Sequence, residues 1–175
     1  MMSRGDISGY RHDGSEFPAE ASVSKFIANH NTLLVVTIRD VTDRKKAKEE
    51  LLWQATHDSL TGLPNRALIQ KRLENALSRS KVSKAPVSLL FIDIDNFKLI
   101  NDSYGHNLGD QLLKTIGKRL IKSVRPGDTV ARFGGDEFII LCDNSVTTKG
   151  MSHISEEILK SLREPTFIDN IELYP

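Results

Sequence analysis

The chain has 175 residues, 39% of them apolar and 27% charged. That is enough apolar mass for a packed core, and it excludes a disordered chain. With 24 Lys and Arg against 23 Asp and Glu, the net charge is +1, so the basic footprint of a nucleic-acid binder or a polybasic membrane protein is missing. A single cysteine, Cys142, excludes an internal disulfide and fits a reducing compartment. The longest apolar runs, 33–36 and 89–92, fall far short of the roughly 18 to 20 residues of a membrane span. The N-terminus lacks the apolar stretch of a signal peptide. The expectation is a soluble, cytoplasmic segment without nucleic-acid or membrane partners.

The first 40 residues read as β. Asp13-Gly14 marks a tight hairpin turn. Phe17, Ala19, Ala21 and Val23 alternate with polar residues, as in a half-buried strand that Pro18 confines to an edge or strand start. Asn29-His30-Asn31 signals another turn, and residues 32–39 read as a second strand. Composition changes at Asp40: residues 42–54 hold no Gly or Pro and predict a connecting helix with a narrow stripe of Ala47, Leu51 and Ala55. That stripe is either a solvated linker or a short dimer seam.

From His57 the pattern alternates. Residues 61–65 form a turn, and Asn65 caps a helix to about residue 80 with Ile69, Leu73, Ala76 and Leu77 facing inward. Residues 87–92 are almost continuously apolar and predict a central strand covered on both faces. Residues 110–124 predict an amphipathic helix, 129–133 and 138–142 two strands, 151–162 a last helix, and 166–174 a terminal strand. The fold class is α/β (α+β).

Two acidic clusters interrupt this apolar framework. Asp93-Ile94-Asp95 follows the most apolar strand, and Asp136-Glu137 sits at the bend of an apolar hairpin. Carboxylates placed against a core need a positive partner. Mg²⁺ or Mn²⁺ takes hard oxygen ligands, often one or two carboxylates together with substrate phosphates. The bland alternative is that each acid ends a strand at a solvated turn.

Arg132-Phe133-Gly134-Gly135-Asp136-Glu137-Phe138 resembles the signature of the GGDEF family, the diguanylate cyclases. Phe91-Ile92-Asp93-Ile94-Asp95-Asn96-Phe97-Lys98 with Asn101-Asp102, and then Tyr104-Gly105-His106-Asn107-Leu108-Gly109-Asp110, resemble its other long motif. His57-Asp58 through Thr61-Gly62-Leu63-Pro64-Asn65-Arg66 resembles its opening segment. The resemblance runs from about residue 53 to the C-terminus. It implies a central sheet with flanking helices like the palm of polymerases and adenylate cyclases, and condensation of two GTP into cyclic di-GMP and pyrophosphate. It also implies Asp93, Glu137 and the Ile94 carbonyl as metal ligands, with Asp136 assisting catalysis. Asn101 and Asp110 would read guanine, Lys98 would touch phosphate, and Gly134 and Gly135 would pass close to the nucleotide. Arg125 and Asp128 match the family's Arg-x-x-Asp product-inhibition site. Without that context, Asn101 is a loop or cap residue, Asp110 a helix N-cap and His106 a structural loop residue.

One such domain holds one GTP, so a two-fold product implies a face-to-face homodimer. Residues 9–46 look like the C-terminal strands and exit of a PAS sensor domain. The organisation expected is therefore a PAS fragment over 1–44, a linker helix over 45–56 and a GGDEF domain over 57–175. That domain would be C-terminally incomplete, because the family's further strand and basic C-terminal helix are not in the sequence. A non-catalytic module that binds GTP or cyclic di-GMP as a sensor or dimerisation unit, within a GGDEF–phosphodiesterase parent, is the alternative.

Overall fold

The computed structural model describes residues 3–28, 31–142 and 148–174. The chain divides into two units, 1–53 and 54–175. The turn signal at Asn29 and His30 lies outside the described residues.

The first unit is an antiparallel sheet in the order β1 (Ser3–Tyr10), β2 (Glu16–Ala28), β3 (Asn31–Asp40). Its β1–β2 turn forms as expected. Gly14 takes φ +82°, and the Asp13 carboxylate accepts from the Ser15 amide and hydroxyl at 2.9 and 2.6 Å. β1 lacks a clear alternation and was not anticipated. After β3, the Asp40 carboxylate accepts from the amide and hydroxyl of Thr42, at 2.9 and 2.6 Å, and from Arg11. These bonds start α1 (Thr42–Thr56), which buries no residue. Its predicted stripe therefore lies in the open, with Leu51 exposed.

The second unit is layered. β4 (Ser88–Ile92), β6 (Glu137–Cys142) and β5 (Thr129–Gly134) form an antiparallel sheet in the order β4-β6-β5. Alternation along β6 sends Phe138, Ile140 and Cys142 to one face, where they meet Leu112, Leu113, Ile116 and Leu120 of α4 (His106–Ser123). Ile139 and Leu141 face the other way, toward Ile69 and Ala76 of α2 (Arg66–Ser83). The Asn65 side chain caps α2 through the Leu68 amide at 3.1 Å, as its position predicts. α5 (Thr148–Arg163) adds Ile154 and Ile158 to the α4 side. The Arg119 guanidinium donates to the carbonyls of Ser161, Glu164 and Pro165 near the C-terminal end of α5.

Five expectations change. β4 is an edge strand, not the centre: Leu89 and Phe91 are exposed, and β6 is the strand buried on both faces. A continuous apolar run marks a strand but not its place in the sheet. Leu77 of α2 also faces outward. A short helix, α3 (Phe97–Tyr104), occupies a segment for which no element is predicted, and α4 starts at His106 rather than Asp110. The terminal strand is a hairpin of β7 (Thr166–Ile168) and β8 (Ile171–Leu173), because Asp169 and Asn170 take φ +49° and +64°. Paired positive φ is the geometry of a two-residue hairpin turn.

No helix among the described residues is long and apolar enough to cross a membrane.

Candidate active site

The acidic clusters lie at the same end of the sheet. The β4–β6 ladder runs from Ser88 opposite Cys142 to Ile92 opposite Phe138. Asp93 is the next residue on one chain and Glu137 the next on the other. The register that aligns the four apolar pairs from Leu89–Leu141 to Ile92–Phe138 therefore delivers these carboxylates to the same edge. Ile94 is buried while Asp93 and Asp95 are exposed, so alternation turns both acids away from the core. The Ile94 carbonyl accepts one long bond, from the Phe97 amide at 3.4 Å.

The β5–β6 connection is tight. Gly134 pairs with Glu137, which leaves Gly135 and Asp136 as the turn, with Gly135 at φ +52°. The register slips by one residue between Arg132 and Gly134. Such a bulge bends the strand and re-aims the side chains beyond it. No Cβ added at Gly134 or Gly135 would meet a heavy atom within 4 Å, so the turn presents open backbone to anything bound there.

Beyond Asp95 the chain reverses at Asn96, at φ +57°, and enters α3 directly. Asparagine tolerates this left-handed conformation better than most residues. Lys98 and Asn101 are three apart on α3 and share a side of it. Asn101 lies inside α3 and Asp110 inside α4, so neither is a helix cap. Both are half-buried where α3 and α4 pack, and Gly105 at φ +84° makes the corner between the helices. A cavity of about 510 Å³ is lined by Asp93, Ile94 and Asp95 together with Ile158, Leu162 and Arg163 of α5.

Arg125 and Asp128 stand apart, at the other end of β5. Asp128 folds back onto the Arg125 amide at 3.1 Å, and Gly127 takes φ +104°. The turn borders a second cavity of about 490 Å³ that also includes Arg72, whose guanidinium donates to the Thr129 hydroxyl at 2.8 Å.

No set of three or more His, Cys, Asp or Glu side chains among the described residues is gathered closely enough to hold a metal. Two carboxylates and a main-chain carbonyl would together make a hard, all-oxygen donor set. They suit Mg²⁺, which keeps several positions for water and substrate phosphate.

A family model described as "Diguanylate cyclase, GGDEF domain" matches residues 55–175. The chain belongs to the GGDEF family. Over 166 residues the GGDEF chain is 38% identical to the probable diguanylate cyclase DgcE of Escherichia coli, covering 93% of this chain and 15% of that protein. It is 39% identical over 132 residues to the bifunctional diguanylate cyclase/cyclic di-GMP phosphodiesterase MucR of Pseudomonas aeruginosa, covering 75% of this chain and 19% of MucR. The chain thus spans about a fifth of such a relative. Among solved structures, the GGDEF domain of TpbB (YfiN) from Pseudomonas aeruginosa superposes with a TM-score of 0.65 at 39% identity, covering 67% of this chain and 69% of that one. The coiled coil and GGDEF domain of DgcB from Caulobacter crescentus, in complex with c-di-GMP, gives 0.68 at 26% identity, covering 75% and 69%.

Sequence reasoning assigned no role to Asp58 or Arg132 of this GGDEF domain, although both lie in its motifs. The Arg132 guanidinium bonds the Asp58 carboxylate and the Gly135 carbonyl together. An acid in the opening turn and an arginine two residues before the glycine pair were the only signals. Neither indicates a pairing by itself.

Proposed function

We propose that this GGDEF domain is a diguanylate cyclase module that condenses two GTP into cyclic di-GMP. The observation that carries the reading is the register that sets Asp93 and Glu137 at one sheet edge, beside the open Gly134-Gly135 turn. In the reaction, a 3′-oxygen forms a bond to an α-phosphorus, the bond from that phosphorus to pyrophosphate breaks, and the hydroxyl proton leaves to a base. Asp136, half-buried at the turn, would take or relay that proton. Asp93, Glu137 and the Ile94 carbonyl would hold Mg²⁺ or Mn²⁺, which lowers the hydroxyl pKa and neutralises the departing pyrophosphate. Lys98 faces phosphate, and Asn101 and Asp110 read the guanine edge, where a carboxylate accepts from N1–H and N2–H₂. A site built this way rejects adenine, because its partners would be left unpaired.

Each domain supplies half of a two-fold product, so two copies meet face to face. Residues 1–44 read as the end of a PAS sensor, joined through α1, and the arrangement of the two copies is the point of control. Arg125 and Asp128 bind the product and restrain the reaction. GTP as substrate places the domain in the cytoplasm.

The test is incubation of the protein with GTP and Mg²⁺ and detection of cyclic di-GMP, with Glu137→Gln as control. Product from the wild type and none from the variant is expected. Folded, dimeric protein that binds GTP and yields no product would replace this reading with a nucleotide sensor.

A further inference from the structure

Gly109 is the fourth residue of α4 and is buried. Glycine is disfavoured there relative to alanine, so its presence calls for a steric reason. A Cβ built on Gly109 would stand 2.0 Å from Asn101 Oδ1, 3.0 Å from Asn101 Cγ and 3.2 Å from Phe97 Cζ. The space that a methyl group would fill is therefore taken by the Asn101 amide. A second observation concerns that amide. Asn101 Oδ1 is shut away from solvent and has no hydrogen-bond partner among the described residues. An unpaired buried acceptor is a free-energy liability, so packing onto Gly109 holds the amide in this seat, and its Nδ2 is not enclosed in the same way.

We infer that Gly109 is a positioning residue for purine recognition: by lacking a side chain it seats the Asn101 amide where that amide can meet the base. The inference rests on the reading of Asn101 as a guanine contact and adds a residue that touches no nucleotide itself. The atom displaced by a methyl group at 109 is the far end of a flexible side chain, not backbone. Gly109→Ala therefore turns the amide out of its seat and leaves α4 intact, and the higher helix preference of alanine supports the helix.

The experiment compares wild type, Asn101→Ala, Gly109→Ala and the double variant. Calorimetry measures binding of a non-hydrolysable GTP analogue and its ATP counterpart, and thermal melting follows the fold. Gly109→Ala is expected to weaken the GTP analogue about 10- to 100-fold, as Asn101→Ala does, and to narrow the preference for guanine over adenine. The double variant is expected to bind no worse than Asn101→Ala alone, because both changes remove one contact. Any loss of melting temperature in Gly109→Ala should be recovered in the double variant, where the colliding amide is absent.

Wild-type binding by Gly109→Ala, with Asn101→Ala impaired, overturns the inference and leaves the guanine reading standing. Wild-type binding by Asn101→Ala overturns the guanine reading itself. Melting lowered equally in Gly109→Ala and the double variant means that the glycine serves packing against Phe97, which also overturns the inference.

Discussion

Arg132 and Asp58, 74 positions apart, form a half-buried ion pair in which Nη1 lies 3.0 and 3.2 Å from the two carboxylate oxygens. The other side of the same guanidinium donates from Nε and Nη2 to the Gly135 carbonyl, at 2.9 and 2.7 Å. The opening turn is bound to its neighbours as well. The Arg132 amide donates to the Pro64 carbonyl, and Asn65 donates to the carbonyls of Thr56, at its amide, and Ala55, through its side chain. A continuous set of bonds thus runs from the end of α1 to the signature turn.

Lysine cannot reproduce this fork, because it has one rotating ammonium in place of a planar set of donors. Arg132→Lys is expected to lower kcat of cyclic di-GMP formation at least about tenfold and to destabilise the domain by about 1–3 kcal/mol in urea unfolding. A double-mutant cycle with Asp58→Asn should return a coupling of about 0.5–3 kcal/mol. Strict additivity would mean that the pair does not act as a unit.

Burial of Asp58 pushes its pKa up, but bonds from the Thr61 hydroxyl and amide and from Arg132 outweigh it, so the net pKa lies below the ordinary 3.8. A depressed carboxylate adds stability that is present above its unfolded pKa and is lost as pH falls through the folded one. Melting temperature is therefore expected to drop as pH is lowered below about 5, most steeply below 3.8. Asp58→Asn, less stable at neutral pH, should show a shallower drop over that range.

Burial pushes the Cys142 thiol up to about 11, helped by the charge of Asp128 and opposed by Arg125. The side chain is fully enclosed in the core between sheet and α4. A raised pKa contributes stability below the unfolded value of 9.0 that is lost as pH climbs toward about 11. At neutral pH the thiol should resist iodoacetamide in the native protein and react readily after unfolding, read by intact mass. Equal rates in the two states would contradict the enclosure.

If the turn beside the second cavity restrains the enzyme, Arg125→Ala should raise the cyclic di-GMP concentration for half-inhibition by about tenfold or more, the loss of one charge-assisted contact. An unmoved inhibition curve would remove Arg125 from product binding.

The helices α1, α2 and α5 and the strands β2 to β6 were legible because each carries a period or a cap that the backbone must obey. α3 was not. Its eight residues carry Phe97, Leu99, Ile100 and Tyr104 among polar neighbours, too short a run to fix a period, and its start depends on a left-handed Asn96 that no periodicity reveals. The exposed edge of β4 was equally invisible, since apolar residues on an edge and at a centre spell the same run. Asp93, Asp136 and Glu137 stood out because acids beside apolar strands violate a pattern. Arg132 and Gly109 violate none, and only the packing of distant segments exposes what they do.

Four residues, 93 to 96, join the end of β4 to the start of α3. This short tether works as a ruler. One additional residue at the head of the helix would swing every later side chain by about 100°, carrying Lys98 and Asn101 to another side while leaving Asp93 where it is. The same rotation would turn Phe97 and Ile100 away from the core they pack against, so the length of this tether is bound to the packing of α3 as well as to the direction of Lys98 and Asn101.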